Sequence, residues 1–288
     1  VGTYAVTGSA SGMGAAVVER LVADGHRVIG VDIKAADVSA DLSTPAGRRA
    51  AAAAVLDLAG GSLDGAVMAA GLGPAPDRDR ARLIAEVNVL GVVELLDAWR
   101  PALAATDRAK VVVFSSNSST TVPLVPGRVV RALLDGDTEK ALGTLRLLGR
   151  AAPTFAYAAS KVAIAQWVRR QAVTREWAGA GIRLNALAPG AIMTPLLEQQ
   201  LATPAEARRI RAFPVPIGGF GDAGQLADWV VFMLSDAADF LCGSVVFVDG
   251  GSDAWFRATD WPRPVPARRL RSYVGRMKEF RAVRRARS

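Results

Sequence analysis

The sequence predicts an α/β fold, a doubly wound parallel sheet with helices on both faces. Two observations predict it. Apolar β-type runs alternate regularly with alanine-rich helical segments, and runs such as Val111-Val112-Val113-Phe114 are apolar on consecutive residues, as strands buried on both faces are. The composition agrees, because 288 residues at 51% hydrophobic fill the sizeable core of one large domain.

Taken in order, a strand over 3–7 around Tyr4-Ala5-Val6 leads into a helix over 13–23. A strand over 27–32, a helix over 45–59, a strand over 64–69 and a helix over 82–104 repeat the unit twice, and a strand over 110–115 follows. After an interruption, a helix over 155–178 and a strand over 182–188 follow, then helices near 194–212 and 222–235 and a last strand over 244–249. Right-handed crossovers make this a Rossmann-type sheet, and they bring ligands to the carboxyl ends of its strands. Thr7, Asp32, Gly71, Ser116 and Pro189 fall at those ends.

Two segments break the alternation. Residues 122–152 carry no strand signal; Val129, Leu133, Leu134, Ala141, Leu142, Leu145 and Leu148 form a helical stripe interrupted at Asp135-Gly136-Asp137. They read as a helical insertion before Tyr157. Residues 257–288 open with Trp261-Pro262-Arg263-Pro264-Val265-Pro266 and continue as an amphipathic helix with Leu270, Tyr273, Val274, Met277, Phe280 and Val283 on one side. The expected division is therefore a binding and catalytic domain over 1–256 and a basic extension over 257–288.

Charge and cysteine usage exclude several function classes. The net charge of +8 is concentrated in the extension, where eleven Lys or Arg stand against Asp260 and Glu279; that local +9 leaves the rest of the chain near −1. A near-neutral body does not offer a nucleic-acid groove. Cys242 and His26 are single, so no disulfide and no Cys/His metal site is expected. No apolar stretch reaches spanning length and the chain opens on a strand-like run, so a soluble, cytoplasmic protein is expected.

The chemistry-bearing residues begin at Thr7-Gly8-Ser9-Ala10-Ser11-Gly12-Met13-Gly14, between the first strand and the first helix. Glycines at 8, 12 and 14 allow a sharp turn and close approach to a pyrophosphate, whose charge a helix N-terminus stabilises. Asp32, next to Ile33, ends the second strand where its carboxylate accepts from both ribose hydroxyls of an adenosine and repels a 2′-phosphate. NAD(H) is therefore expected over NADP, although Lys34 partly offsets the repulsion. Asp41-Leu42 either reaches the adenine or opens the following helix, and Ala69-Ala70-Gly71 ends the third strand with no side chain larger than methyl. Tyr157 and Lys161, four apart at a helix start, share one face, so an ammonium beside the phenol favours its ionised form.

In order along the chain, Thr7-Gly-x-x-x-Gly12-x-Gly14, Asn88 in Glu86-Val87-Asn88-Val89-Leu90-Gly91, Ser116 closing Val113-Phe114-Ser115-Ser116, Tyr157-x-x-x-Lys161, Asn185, and Pro189-Gly190 followed by Thr194 resemble the classical short-chain dehydrogenase/reductase family. The family's Asn-Asn-Ala-Gly stretch reads Met68-Ala69-Ala70-Gly71 here, a departure that touches no catalytic group. The resemblance implies that Tyr157 is the general acid in reduction and the base in oxidation, that Lys161 lowers its pKa and holds the nicotinamide ribose, and that Ser116 polarises the substrate oxygen. Asn88 would anchor a proton-conducting water, its alternative being a helix kink; Ser115 is the alternative polariser. The resemblance also implies that the backbone at Ala188, Gly190 and Ile192 orients the carboxamide, with Thr194 touching it or the phosphates, while Asn185 reads as structural.

Tyr157 stands 41 positions after Ser116, a much longer interval than the family's usual one. That interval, with Asp41-Leu42-Ser43-Thr44, Gly47-Arg48 and Ala70-Gly71-Leu72-Gly73-Pro74, resembles one subfamily, the bacterial 3α-hydroxysteroid dehydrogenase/carbonyl reductases. This implies interconversion of a secondary alcohol and a ketone on a hydrophobic substrate such as a 3α-hydroxysteroid, and a homodimer rather than a tetramer. Met193-Thr194-Pro195-Leu196-Leu197, Ile210, Phe213 and Val215 either line an apolar pocket or form a lid packed on its own core. The rival readings are a reductase for a non-steroid ketone and a noncatalytic NAD-binding protein held at a membrane by its basic tail, whose apolar stripe otherwise packs on the body or a partner subunit.

Overall fold

The computed structural model describes residues 1–77 and 79–285; the side chains of Leu196 and Val283, counted in apolar stretches above, lie outside the described residues. Contacts divide the chain into two units, Val1–Asp253 and Ala254–Ser288.

The first unit runs β1 (Thr3–Thr7), α1 (Gly12–Ala23), β2 (Arg27–Asp32), β3 (Val38–Ser39), α2 (Pro45–Ala59), β4 (Gly65–Met68), α3 (Arg80–Ala85), a π-helical turn over Glu86–Leu90, α4 (Gly91–Ala104) and β5 (Lys110–Phe114). It continues with α5 (Ser118–Thr121), α6 (Gly127–Leu134), α7 (Thr138–Leu145), α8 (Ala152–Gln171), β6 (Arg183–Pro189), β7 (Ile192–Met193), α9 (Pro195–Leu201), α10 (Pro204–Arg211), β8 (Gly221–Asp222), α11 (Ala223–Leu234) and β9 (Val245–Val248). Among the described residues the main sheet has seven strands in the order β3-β2-β1-β4-β5-β6-β9. Every adjacent pair is parallel. The order reverses between β1 and β4, so a crevice opens at the carboxyl ends of those strands.

Both faces of the sheet are covered. On one, Trp99, Leu95, Ile164, Trp167 and Val55 bring α2, α4 and α8 onto the strands; on the other, Val17, Leu21, Val230 and Met233 do so from α1 and α11. The insertion forms a third cluster, in which Val129, Leu133, Ala141, Leu142 and Leu145 pack on Ala156, Ala159 and Ala163 of α8 and on Ile84 of α3. Each fully buried Val or Leu of that stripe contributes about 1.5 to 3 kcal/mol, enough to fix α6 and α7 on the outer face of α8. The helix carrying Tyr157 and Lys161 is thus held from two sides.

The differences from the sequence expectation are local. The helix expected over 82–104 starts at Arg80 and contains the π turn. The helix expected over 155–178 stops at Gln171, where Thr174 N–H turns back onto the Gln171 carbonyl at 2.9 Å and Trp177 is buried instead of helical. The helix near 194–212 is two short ones, parted before Pro204, which cannot continue the first. Two-residue strands β3, β7 and β8 are too short to leave a periodic signal.

The second unit contains most of α12 (Ser252–Arg257), and then a single turn at Ala267–Arg269 leads into α13 (Leu270–Arg285).

Candidate active site

The glycine turn hangs from the end of β1. Thr7 is buried and its Oγ1 accepts from Ala70 N–H at 3.1 Å, tying β1 to the end of β4. Gly8 has φ of 71°, and a Cβ there would stand 2.8 Å from the Ala70 nitrogen. A Cβ on Gly14 would collide with the Gly8 carbonyl, so the first turn of α1 can close on the loop only with glycine. Ser11 caps α1 in an extended conformation without a side-chain bond, and the first turn holds no acidic residue. Its amides therefore face outward with partial positive charge, ready for an anion. Thr194, which follows β7, stands across the turn, its Cγ2 3.5 Å from where a Cβ on Gly12 would be.

Asp32 ends β2 directly above this turn. Its two carboxylate oxygens accept from Ala10 N–H and Lys34 N–H, each at 3.0 Å, which orients the group over the loop, with Ile33 exposed beside it. Asp41 and Leu42 lie in the loop between β3 and α2. The Asp41 carboxylate accepts from Ser43 N–H at 2.9 Å in a turn leading to the Thr44 cap of α2, and the apolar Leu42 side chain joins the core. The Leu42 carbonyl accepts instead from the Arg48 guanidinium at 3.1 Å. Arg48 also binds Glu86 at 2.9 Å and Glu94 at 2.7 Å, linking this loop to the π turn and α4.

At the end of β5 the two serines separate. Ser115 Oγ donates to the Lys161 carbonyl at 3.0 Å and so anchors α8, whereas Ser116 hydrogen-bonds the Tyr157 hydroxyl and accepts from Ser118 N–H at 3.1 Å. Lys161 Nζ donates to the Phe114 carbonyl at 2.8 Å and lies 5.7 Å from the centre of the Tyr157 ring. Burial lowers Lys161 to about 8. Burial pushes Tyr157 up, and only the bond to Ser116 opposes it. The sequence expectation of a lowered phenol is therefore not what this arrangement produces, because desolvation outweighs an ammonium that itself loses hydration and is moored to a carbonyl.

Asn88 sits in the π turn, 1% exposed. Its Oδ1 accepts from Leu72 N–H at 2.8 Å, and its Nδ2 donates to the Leu72 carbonyl at 3.0 Å and to Ser160 Oγ at 3.3 Å. Ser160 in turn donates to the Tyr157 carbonyl at 2.7 Å. A Cβ on Gly71 would stand 3.4 Å from Asn88 Oδ1 and 3.7 Å from Lys161 Nζ, so Gly71 keeps both groups reachable from the crevice. Sequence reasoning does not single out Ser160 or Asn117. Ser160 is fully buried three residues after Tyr157, a spacing that points to a bond with the tyrosine carbonyl; Asn117, after Ser116, has an unpartnered buried Nδ2 with no sequence signal. Asn117 N–H reaches the Pro189 carbonyl at 2.9 Å, extending β5 against β6 as far as Pro189-Gly190 and buried Ile192. Asn185 is structural, pairing with Leu241 and Ser244.

The residues present fit a dinucleotide: a side-chain-free cradle at Gly8, Gly12 and Gly14, uncapped first-turn amides on α1, and a carboxylate at the end of β2. A cavity of about 630 Å³ between the 215–220 loop and α11 is lined by Val215, Ile217, Trp229 and Phe232 and reaches Gly190 and Ile192, whereas Ser116, Tyr157 and Lys161 do not line it.

A parallel sheet with a glycine turn at its switch point and a Ser-Tyr-Lys set at the end of β5 defines an oxidoreductase acting on alcohol and ketone groups. The chain belongs to the short-chain dehydrogenase/reductase family. A family profile described as short chain dehydrogenase matches residues 3–126, and one described as enoyl-(acyl carrier protein) reductase matches 144–253; the interval between them falls in the insertion. The chain is 38% identical to a 3-alpha-hydroxysteroid dehydrogenase/carbonyl reductase of Comamonas testosteroni, over 89% of this chain and 98% of that protein. It is 32% identical to a cis-4-hydroxycyclohexanecarboxylate dehydrogenase of Sinomonas cyclohexanicum, over 86% and 95%. The crystal structure of the 3-alpha-hydroxysteroid dehydrogenase from Pseudomonas sp. B-0831 complexed with NADH superposes with a TM-score of 0.82 at 43% identity, covering 89% of this chain and 99% of that one.

Proposed function

We propose that this chain is an NAD(H)-dependent dehydrogenase that interconverts a secondary alcohol and a ketone on a hydrophobic substrate of the 3α-hydroxysteroid class. The observation that carries the reading is the meeting of Ser116, Tyr157 and Lys161 at the crevice that the glycine turn and Asp32 also border. Bound there, the nicotinamide supplies or accepts the hydride. The Ser116 hydroxyl orients the substrate oxygen, and the Tyr157 phenol gives that oxygen its proton in reduction and removes it in oxidation. Lys161 holds the cofactor ribose, the bond to Ser116 draws the buried phenol toward ionisation, and Asn88, whose side chain is engaged by Leu72 and Ser160, anchors the water through which protons exchange with solvent.

Thr7, Gly8, Ser11, Gly12, Met13, Gly14, Ala70 and Gly71 would frame the pyrophosphate and its approach, with Pro189, Gly190, Ile192 and Thr194 beside the carboxamide. Asp32 supports NAD over NADP, since its carboxylate at the end of β2 repels a 2′-phosphate. The steroid class rests on the relatives from Comamonas testosteroni and Pseudomonas sp. B-0831, together with the α6–α7 insertion. The catalytic region is taken as residues 1–256, acting in the cytoplasm as a homodimer.

Initial rates with androsterone and with small cyclic ketones, each with NAD(H) and NADP(H), test the reading. Turnover of the steroid with NAD(H) is expected. A preference for cyclohexanones would favour a small cyclic alcohol, the reading suggested by the Sinomonas cyclohexanicum relative. An NADP(H) preference in the wild type, or an NAD(H) preference that Asp32→Ala leaves unchanged, would overturn the cofactor assignment.

A further inference from the structure

The family profile ends at residue 253, and the second unit begins at Ala254, so the C-terminal segment is additional to the fold that carries the chemistry. Its composition is unlike the rest of the chain: eleven cations against two acids from Arg257 onward. At 3.6 residues per turn, Leu270, Tyr273, Val274, Met277 and Phe280 of α13 fall within one stripe about 120° wide. Arg271 and Lys278 flank it on one side and Arg276 on the other, while Glu279 points away from it. Within the unit the five stripe residues are 44% to 70% exposed, and the indoles of Trp255 and Trp261 are exposed as well.

Three occupants compete for such a face. A nucleic acid would use the cations and leave five apolar side chains without a role. A second copy of the helix would cover the stripe but bring two segments of +9 together. An anionic lipid surface satisfies both halves at once, burying the stripe at the acyl boundary while the flanking cations meet headgroup charge, and exposed indoles suit such an interface. Among the described residues no helix is long and apolar enough to cross a membrane, so the contact is with the surface.

We propose that Leu270–Arg285 is an interfacial helix that docks the enzyme on anionic phospholipid, its Leu270, Tyr273, Val274, Met277 and Phe280 face turned into the bilayer. The test is co-sedimentation of the full chain with phosphatidylcholine vesicles, with and without about 30 mol % phosphatidylserine. Binding only to the anionic vesicles, weakened by salt, is expected. Met277→Glu, and separately Arg271→Glu with Lys278→Glu, are each expected to lower partitioning at least about tenfold while the dehydrogenase rate in solution is unchanged. Absence of binding to anionic vesicles, or binding indifferent to Met277→Glu, would overturn the proposal. So would concentration-dependent self-association through α13 in the wild type that Met277→Glu abolishes, or tighter binding to duplex DNA than to vesicles. Because vesicle binding needs no turnover, its failure is separate from failure of the proposed activity.

Discussion

Lys161 donates from Nζ to the Phe114 carbonyl at 2.8 Å, which moors the ammonium to the last residue of β5 instead of the Tyr157 hydroxyl. The ammonium is buried, and desolvation brings its pKa from 10.5 to about 8. Between those values the unfolded chain keeps a proton that the folded chain has lost, so stability rises with pH from about 8 until the tyrosines ionise near 10. Above that point the raised Tyr157 works in the opposite sense. Urea midpoints across this window should show a rise on the order of 2 to 3 kcal/mol in the wild type that Lys161→Met lacks. Parallel profiles for the two proteins would mean that Lys161 is hydrated in the folded state.

Tyr157→Phe removes the hydroxyl that hydrogen-bonds Ser116 and that the proposed reaction uses to give and take its proton. The phenyl ring keeps the packing of α8, so the variant should fold and bind NADH as before. Its kcat should fall by about 10² to 10⁴, the usual contribution of a positioned acid or base. Single-turnover rates with a pre-bound cofactor separate this from a binding defect; a variant that turns over normally would assign the proton to another group.

Much of this site is legible in the chain because its parts are local. Glycines 8, 12 and 14 are dictated by a turn that closes within eight residues, and Tyr157 and Lys161 by one helical face. The apolar stripe of the insertion was equally readable, since Val129, Leu133 and Leu145 pack by helical period alone. What escaped depends on distant chain. The π turn at Asn88 serves a bond to Leu72 sixteen residues away, and Ser160 matters because Asn88 arrives beside it. Leu42 is drawn into the core by the approach of α4, where Gly91 leaves room for it, and the raised phenol follows from tertiary desolvation that no spacing encodes.

Gly14 is the most constrained position of the glycine turn, because a Cβ there meets the Gly8 carbonyl, which belongs to backbone and cannot swing away. Gly14→Ala should cost about 1 to 3 kcal/mol, as overpacking against fixed atoms does. The displaced loop should also weaken NADH binding. Thermal melting and fluorescence titration of the same preparation check both, and an unchanged Tm would show that the turn opens freely.

Arg48 is the last of the buried contacts and the one that couples two halves of the crevice. It is 2% exposed, and one guanidinium spans Glu94, Glu86 and the Leu42 carbonyl. Glu86 opens the π turn that holds Asn88, while Leu42 belongs to the loop after β3, on the side where the proposed cofactor would place its adenosine. Arg48→Met would leave the largely buried Glu86 carboxylate and the Leu42 carbonyl without their donor, at a cost of about 2 to 4 kcal/mol. Arg48→Lys keeps the charge, but an ammonium lacks the planar fork that reaches three acceptors, so part of the loss should remain. Because the freed segment lies on the cofactor side, Kd for NADH should rise more than kcat falls, and the lysine variant should recover the Kd only in part. Equal loss in both quantities would place the role of Arg48 in global stability instead of in positioning the Leu42 loop against the π turn.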